Sequence, residues 1–290
     1  MLQGKIMQRF ELKDHADSYL PAGKKWKMVW NDEFDGTELD TTKWSCRRNF
    51  WGSEFPTFTD EGIELDGESH IRLHLLEKDG HYYSPHLQTG SMTFDIPKDT
   101  EGFWPFGKHE EPKFMHKFGY YEVRCRMTKN PGWHAAFWLQ APGIGSHPNP
   151  KYGGVEIDIM ENYRLHTENQ IICGGLWGGY GKNYSGHGHA RFDFVETEDG
   201  WHHYGVDWSK DGYIYYADGV EVNREESPVS EIEQFILLST ECHGYRGTEF
   251  EATAFTAKPG HPKGTPCEAL KNAVLPDYFE VDFVRVFDEV

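Results

Sequence analysis

Gly154-Val155-Glu156-Ile157-Asp158-Ile159-Met160-Glu161 decides how this chain folds and what it does. Three carboxylates fall within six residues, set among Val, Ile and Met. Side chains on a strand alternate faces, so Glu156 and Asp158 share one face and Val155, Ile157 and Ile159 form an opposite, apolar one. Strict alternation puts Glu161 on the apolar face, where an unpaired carboxylate is costly. One extra residue, a β-bulge at Ile159-Met160, returns Glu161 to its two partners. Bulges re-aim side chains beside active sites, so a bulged strand is expected here.

The chemistry such a strand suits is cleavage of a glycosidic bond, which needs one carboxyl group as nucleophile or base and a second as general acid. Four strand steps separate the two Glu Cα atoms by roughly 13 Å. Leaning side chains bring the carboxyl groups to about 5–5.5 Å, the spacing of a retaining enzyme. Asp158 between them adds a third negative charge and raises the proton affinity of a neighbour. The bland alternative is a solvated acidic edge strand.

Composition narrows the class. The chain has 290 residues, 15% of them aromatic, with 31 Gly. That suits a β-rich protein with many turns and with rings available to stack on sugars. The formal charge is 29 − 47 = −18, which argues against nucleic acid and anionic membranes as partners. No apolar run approaches the length of a membrane span. Residues 1–12 mix Lys, Gln, Arg and Glu and lack a signal-peptide stretch. Localisation stays open between an intracellular protein and the secreted, periplasmic or cell-surface one that a polymer substrate leads one to expect. Five cysteines cannot all pair and form no C-x-x-C. Cys125 and Cys173 read as buried thiols.

Short alternating runs recur along the chain. In Phe118–Met127, Tyr121, Val123, Cys125 and Met127 share a face opposite Tyr120, Glu122, Arg124 and Arg126. In His134–Gln140, His134, Ala136, Trp138 and Gln140 lie opposite Ala135, Phe137 and Leu139. Asp66-Gly67, Asp79-Gly80, Asp211-Gly212 and Asp218-Gly219 are hairpin signals. The pattern predicts an all-β sandwich of two antiparallel sheets. One domain over 1–290 is expected, with 1–26 as a wrapping lead-in. Segments 100–114 and 244–276 read as cleft-bordering loops, with a short helix about Pro266–Val274.

The sequence resembles family 16 glycoside hydrolases from about Trp26 to its last strand. Glu156-Ile157-Asp158-Ile159-Met160-Glu161 matches the bulged E-x-D-x-x-E signature, the form of laminarinases, agarases, porphyranases and carrageenases. Trp30–Gly36, Phe118–Arg124, Trp133–Trp138, Trp201–Trp208 and Phe279–Val286 resemble further family segments in order. The resemblance implies a β-jelly-roll with a concave polysaccharide-binding cleft. It also implies an endo-acting, retaining hydrolase with Glu156 as nucleophile, Glu161 as acid/base and Asp158 assisting the nucleophile. Glu33 and Asp282 match segments that hold a structural calcium in many members; catalysis itself needs no cofactor.

Trp138, His134, Trp133, Trp51, Asn49 and Arg48 are the expected substrate-binding residues. Arg47, Arg48, Arg164, Lys182 and Arg191 form a candidate cationic rim, for which ordinary solvated surface is the plain alternative. A β-1,3-type glucan is the favoured substrate, and a monomer is expected. The Arg47-Arg48 pair, and Pro150-Lys151-Tyr152-Gly153-Gly154 where laminarinase-like members carry a Trp-Pro segment, speak for an agar-, porphyran- or carrageenan-type galactan instead. A transglycosylase and a non-catalytic polysaccharide-binding sandwich remain open as alternatives.

Overall fold

Two antiparallel sheets lie face to face, in the arrangement the alternating runs predict. The structure, a computed structural model, describes residues 7–96, 110–162, 170–247 and 261–290. One sheet carries the acidic strand. Its main strands run Leu76–Lys78, His81–Gln88, Phe235–Cys242, Trp133–Gln140, Val155–Asn162, Gln170–Trp177 and Ser185–Gly186 in spatial order. The other runs Val220–Glu225, Gly212–Ala217, His202–Ser209, Gly119–Arg126, Tyr278–Glu289, Ile71–His74 and Ile63–Leu65. A short parallel pairing, Ser84 with Phe58, interrupts the antiparallel rule.

The core is the layer between the sheets. From the acidic strand it takes Val155, Ile157, Ile159 and Met160; from the neighbouring strand it takes Ala135, Phe137 and Leu139. Tyr121, Val123 and Cys125 face them from the second sheet. Each fully buried apolar side chain of this kind contributes about 1.5–3 kcal/mol relative to exposure. A one-residue slip of the acidic strand would turn this set outward, so the core fixes where the carboxylates point.

The second sheet's outer side is laced with ion pairs. Arg72 Nε donates to Glu280 at 2.7 Å and Arg126 Nη1 to the same carboxylate at 3.0 Å. The lead-in hairpin, Met7–Phe10 with Ser18–Pro21, covers part of this side. Leu20 is packed with Tyr120, Tyr216 and Phe287. Arg285 Nη1 donates to Ala16 O and Ser18 Oγ, both at 2.8 Å.

The expected helix at Pro266–Val274 is only a 3-10 turn at Leu270–Asn272. Leu270 and Cys267 pack beneath Trp133 and Tyr245, so tertiary burial rather than helix propensity shapes that segment. Of the two expected cleft loops, 100–109 and 248–260 lie outside the described residues. No helix among the described residues is long and apolar enough to cross a membrane.

Candidate active site

The chain enters the acidic strand through a single helical turn, Pro150–Gly153, capped by Asn149 Oδ1 accepting from Lys151 N at 3.0 Å. Gly154 follows at φ 86°, and a Cβ there would lie 2.2 Å from Ala141 Cβ. Only glycine fits, because the conformation is left-handed and the neighbouring strand is in contact. The segment 150–154 is thus a compact corner that launches the strand.

The bulge lies where alternation requires it. Phe137 pairs with Met160 and Trp138 with Asp158, leaving Ile159 as the extra residue. The partner on the other side shifts register across the same step, between Asp158 and Glu161. Glu156, Asp158 and Glu161 therefore emerge together on the outer face of the sheet, at 8%, 4% and 7% exposure. They line a cleft of about 450 Å³ together with Trp138, His134, Tyr180 and Arg47.

Each carboxylate has its own surroundings. Glu156 Oε2 accepts from the Gln140 amide and from the Tyr180 hydroxyl. Asp158 Oδ2 lies 3.1 Å from His189 Nε2. Burial pushes the proton affinity of Glu156 up, and the negative charge of Asp158 adds to it. Burial does the same to Asp158, with Glu225 as the charged neighbour. Two such groups resist ionising together, so they hold a proton between them more readily than free carboxylates do. Glu161 faces Ala136 across the strand pair, and Ala136 faces Ser239 in turn. These two small side chains leave a trough beside Glu161.

The walls carry cations already matched to anions. Arg47 Nε donates to Asp95 Oδ2 at 2.7 Å, and Arg246 Nη2 donates to Glu241 Oε2 at 2.6 Å. Both guanidinium groups approach the Phe50 ring, at 5.3 and 4.6 Å. His134 Nδ1 lies 2.8 Å from His243 Nε2. Burial pulls His134 down to about 4, and His243 and His86 well below the ordinary histidine value. At neutral pH these imidazoles are uncharged. Trp51, 53% exposed, stacks on Phe94 with centroids 4.6 Å apart and sits edge-on to Tyr180 at 6.0 Å.

The profile of glycosyl hydrolases family 16 matches residues 77–240, more than half the chain and the whole span of this site except Arg47, Phe50, Trp51 and the 241–246 edge. The chain belongs to glycosyl hydrolases family 16. Among relatives, glucan endo-1,3-beta-glucosidase A1 of Niallia circulans is 25% identical over 93% of this chain and 39% of its own length. Beta-porphyranase C of Zobellia galactanivorans is 28% identical over 72% of this chain and 66% of its own. The chain thus spans less than two thirds of both relatives. The laminarinase of Flavobacterium sp. UMI-01 superposes with a TM-score of 0.62 at 18% identity, covering 90% of this chain and all of that one. That likeness bears on the fold: a family 16 jelly roll.

Within this family 16 site, several expected residues lie elsewhere. Trp133 is fully buried among Leu75, Tyr82, Tyr245 and Leu270, and its Nε1 donates to Asp277 at 3.1 Å. It shares the core-facing parity of Ala135 and Phe137, so it is a packing residue. Arg48 turns away from its neighbour Arg47 and pairs with Asp60 at 2.8 Å, at the exposed surface. Asn49 is half-buried and pairs with Glu54 in a two-residue-strand hairpin, outside the cleft lining. Lys182 and Arg191 are exposed and do not line the cleft, and Arg164 lies outside the described residues. The cationic rim therefore reduces to Arg47 and Arg246.

The calcium expectation does not fit the residues either. Glu33 takes both Nε and Nη2 of Arg285, at 2.9 and 2.7 Å, and Asp282 takes Nη1 of Arg124. Each carboxylate is thus already matched by a guanidinium, which leaves its charge satisfied without a cation. A separate trio, Asp66, His70 and Glu280, is crossed by Arg72, which donates to both carboxylates.

Four contributors escape a reading by alternation: Tyr180, His189, His243 and Arg246. They sit in or beside loops, where no period exists. The one signal for Tyr180 is its setting, Gly178-Gly179-Tyr180-Gly181, a turn whose glycines announce backbone placed for a purpose.

Proposed function

We propose that this chain is an endo-acting, retaining β-glycan hydrolase whose preferred substrate is a neutral β-1,3-type glucan. The observation that carries this reading is the bulged strand, which turns Glu156, Asp158 and Glu161 into one cleft. An oxygen of Glu156 forms a bond to the anomeric carbon as the glycosidic C–O bond breaks. The bond's electron pair leaves with the departing oxygen, which takes the proton of Glu161. Glu161, now a carboxylate, then accepts a proton from water, and the water oxygen displaces Glu156 from the same carbon. Two displacements on one carbon retain its configuration. Asp158 acts through Glu156, sharing a proton and setting its charge.

Substrate neutrality is supported by the walls. Both cleft arginines have carboxylate partners and the buried histidines are uncharged, so this region offers hydrogen bonds without net positive charge. An anionic polymer would meet three carboxylates and a chain of net charge −18. The endo-glucanase name of one relative agrees. The second reading, a galactan hydrolase, is favoured by the β-porphyranase relative and by Arg47 and Arg246 in the lining. Side-by-side assays on laminarin, lichenan, agarose, porphyran and carrageenan separate the two. Rapid loss of laminarin viscosity is expected, and NMR of the first product released should give the β-anomer. Cleavage of the galactans alone, or an initial α-anomer, would overturn the substrate or the mechanism respectively.

A further inference from the structure

We propose that Tyr180 and Gln140 are positioning residues that pin one oxygen of Glu156 in a closed ring of hydrogen bonds, leaving the other oxygen to attack the substrate. The proposal rests on the reading of Glu156 as the nucleophile. Its evidence is geometric. The Gln140 amide nitrogen donates to Glu156 Oε2 and lies 2.6 Å from Tyr180 Oη, while the Tyr180 hydroxyl donates to the same Oε2. The orientation of the Gln140 amide is fixed independently, because its oxygen accepts from Ala141 N at 2.8 Å. The amide's two hydrogens serve Glu156 and Tyr180, and the single phenolic hydrogen serves Glu156. Every donor in the ring is used, and such rings polarise one another.

The backbone is built to deliver that phenol. Gly178 and Gly179 stand at φ 82° and 73°. A Cβ on Gly178 would lie 2.1 Å from Asn183 O, and one on Gly145 would lie 2.7 Å from Gly179 N. Two loops therefore pass at a distance only glycine allows, and the result is a tyrosine reaching over the rim to a buried carboxylate. Its ring is held on the far side by Trp51 and Phe94, with centroids at 6.0 and 5.8 Å. Tyr180 thereby ties the exposed aromatic edge of the cleft to the reacting group.

The ring answers a need. Glu156 must be ionised to attack, yet it is buried beside Asp158, and both facts favour its protonated form. The groups facing it from other elements are Arg47 and His189, which favour its ionised form, and Tyr184, which senses the same carboxylates from the neighbouring loop. Two donors on Oε2 add to that side of the balance. They also favour Glu156 as a leaving group when water displaces it, because the departing carboxylate regains its hydrogen bonds as it forms.

The test compares Tyr180→Phe, Gln140→Leu and the double variant with wild type, on whichever of laminarin, lichenan, agarose, porphyran and carrageenan the wild type cleaves. Phe keeps the ring contacts and removes only the donor. A hydrogen bond to a charged group corresponds to roughly ten- to a hundredfold, so kcat should fall by that factor with little change in KM. The acid limb of kcat/KM should move to higher pH, and the two losses should be non-additive because both donors serve one oxygen. A substrate-free arm runs beside it: the Tm deficit of Tyr180→Phe should be larger at pH 8 than at pH 5, since the lost donor supported the ionised form. An unmoved pH profile with a loss confined to KM would make Tyr180 a sugar platform only, and a pH-independent Tm deficit would make it a packing residue; either overturns the proposal. If Glu156→Gln retains wild-type rates, it is the catalytic reading that fails, and that result is separate from both.

Discussion

His189 holds its Nε2 3.1 Å from Oδ2 of Asp158, at the middle of the acidic strand. The imidazole belongs to the segment entering the Ala190–Asp193 strand, which pairs along Gln170–Trp177 on the far side of the carboxylates from Trp138. Asp158 is thereby held between a histidine on one side and Glu156 on its own strand. In the proposed mechanism it acts on the reaction through its charge.

Asp158→Asn tests that role through pH. Burial raises the proton affinities of both Glu156 and Asp158 above ordinary carboxylate values. Across the window above those ordinary values the folded chain therefore binds more protons than the unfolded one, and stability falls as pH rises. Removing one charge relieves this. Asp158→Asn should raise Tm relative to wild type at pH 8 and raise it less at pH 5. The acid limb of activity should move to lower pH, because Glu156 loses a repelling neighbour. Equal Tm differences at both pH values would remove the charge argument.

Glu156→Gln and Glu161→Gln should each lower kcat by at least about a thousandfold, since the proposed double displacement needs both groups. The variants differ in what rescues them. A small nucleophile such as azide should restore turnover of an activated aryl glycoside by Glu161→Gln, giving a β-azide, because only the proton acceptor is missing. The same rescue of Glu156→Gln should give an α-azide, by direct displacement. Swapped anomers would exchange the two assignments.

Trp133 and Trp138 lie five residues apart and should fail in different ways. Trp133→Ala removes a fully buried indole whose Nε1 donates to Asp277, and should cost about 3–5 kcal/mol of stability. Trp138 is half-buried in the cleft, with Nε1 donating to Ser239 Oγ at 2.9 Å. Trp138→Ala should raise KM for the polymer while denaturant unfolding shifts less than for Trp133→Ala. A large loss of stability in Trp138→Ala with KM unchanged would make it part of the packing.

The fold and the acidic face were legible because both follow from period two. Alternation assigned the faces of 134–140 and 155–159, and the cost of burying Glu161 among Ile and Met called for the bulge. The same rule, extended one residue, sends Trp133 to the core side of Ala135 and Phe137; treating an indole as a sugar platform on chemistry alone overrode it. The calcium pair failed for a different reason. Glu33 and Asp282 match by segment, but Arg285 and Arg124 come from strands that sequence distance does not bring near them. Tyr180, His243 and Arg246 lie in loop geometry, and there the chain carries only glycine positions as a guide.

Adjacent arginines supply the sharpest contrast. Arg47 is 4% exposed and its guanidinium is bound to Asp95, whose proton affinity burial raises and the Arg47 charge pulls back in part. Asp95 Oδ1 also accepts Trp51 N at 3.0 Å, so this pair anchors the loop that presents Trp51 to the cleft. Arg47→Ala leaves a buried carboxylate without its cation and should cost about 3–5 kcal/mol. Arg48 pairs with Asp60 across exposed surface, and Arg48→Ala should change stability by no more than about 0.5 kcal/mol. Activity on laminarin should follow the same order, falling in Arg47→Ala as Trp51 loses its anchor and holding in Arg48→Ala at any ionic strength. Urea unfolding and laminarin kinetics on the two single variants check this. Cleavage confined to sulfated galactans, lost in Arg48→Ala and weakened by salt in the wild type, would mean that the outer arginine meets an anionic substrate, and would move the substrate assignment to a sulfated galactan.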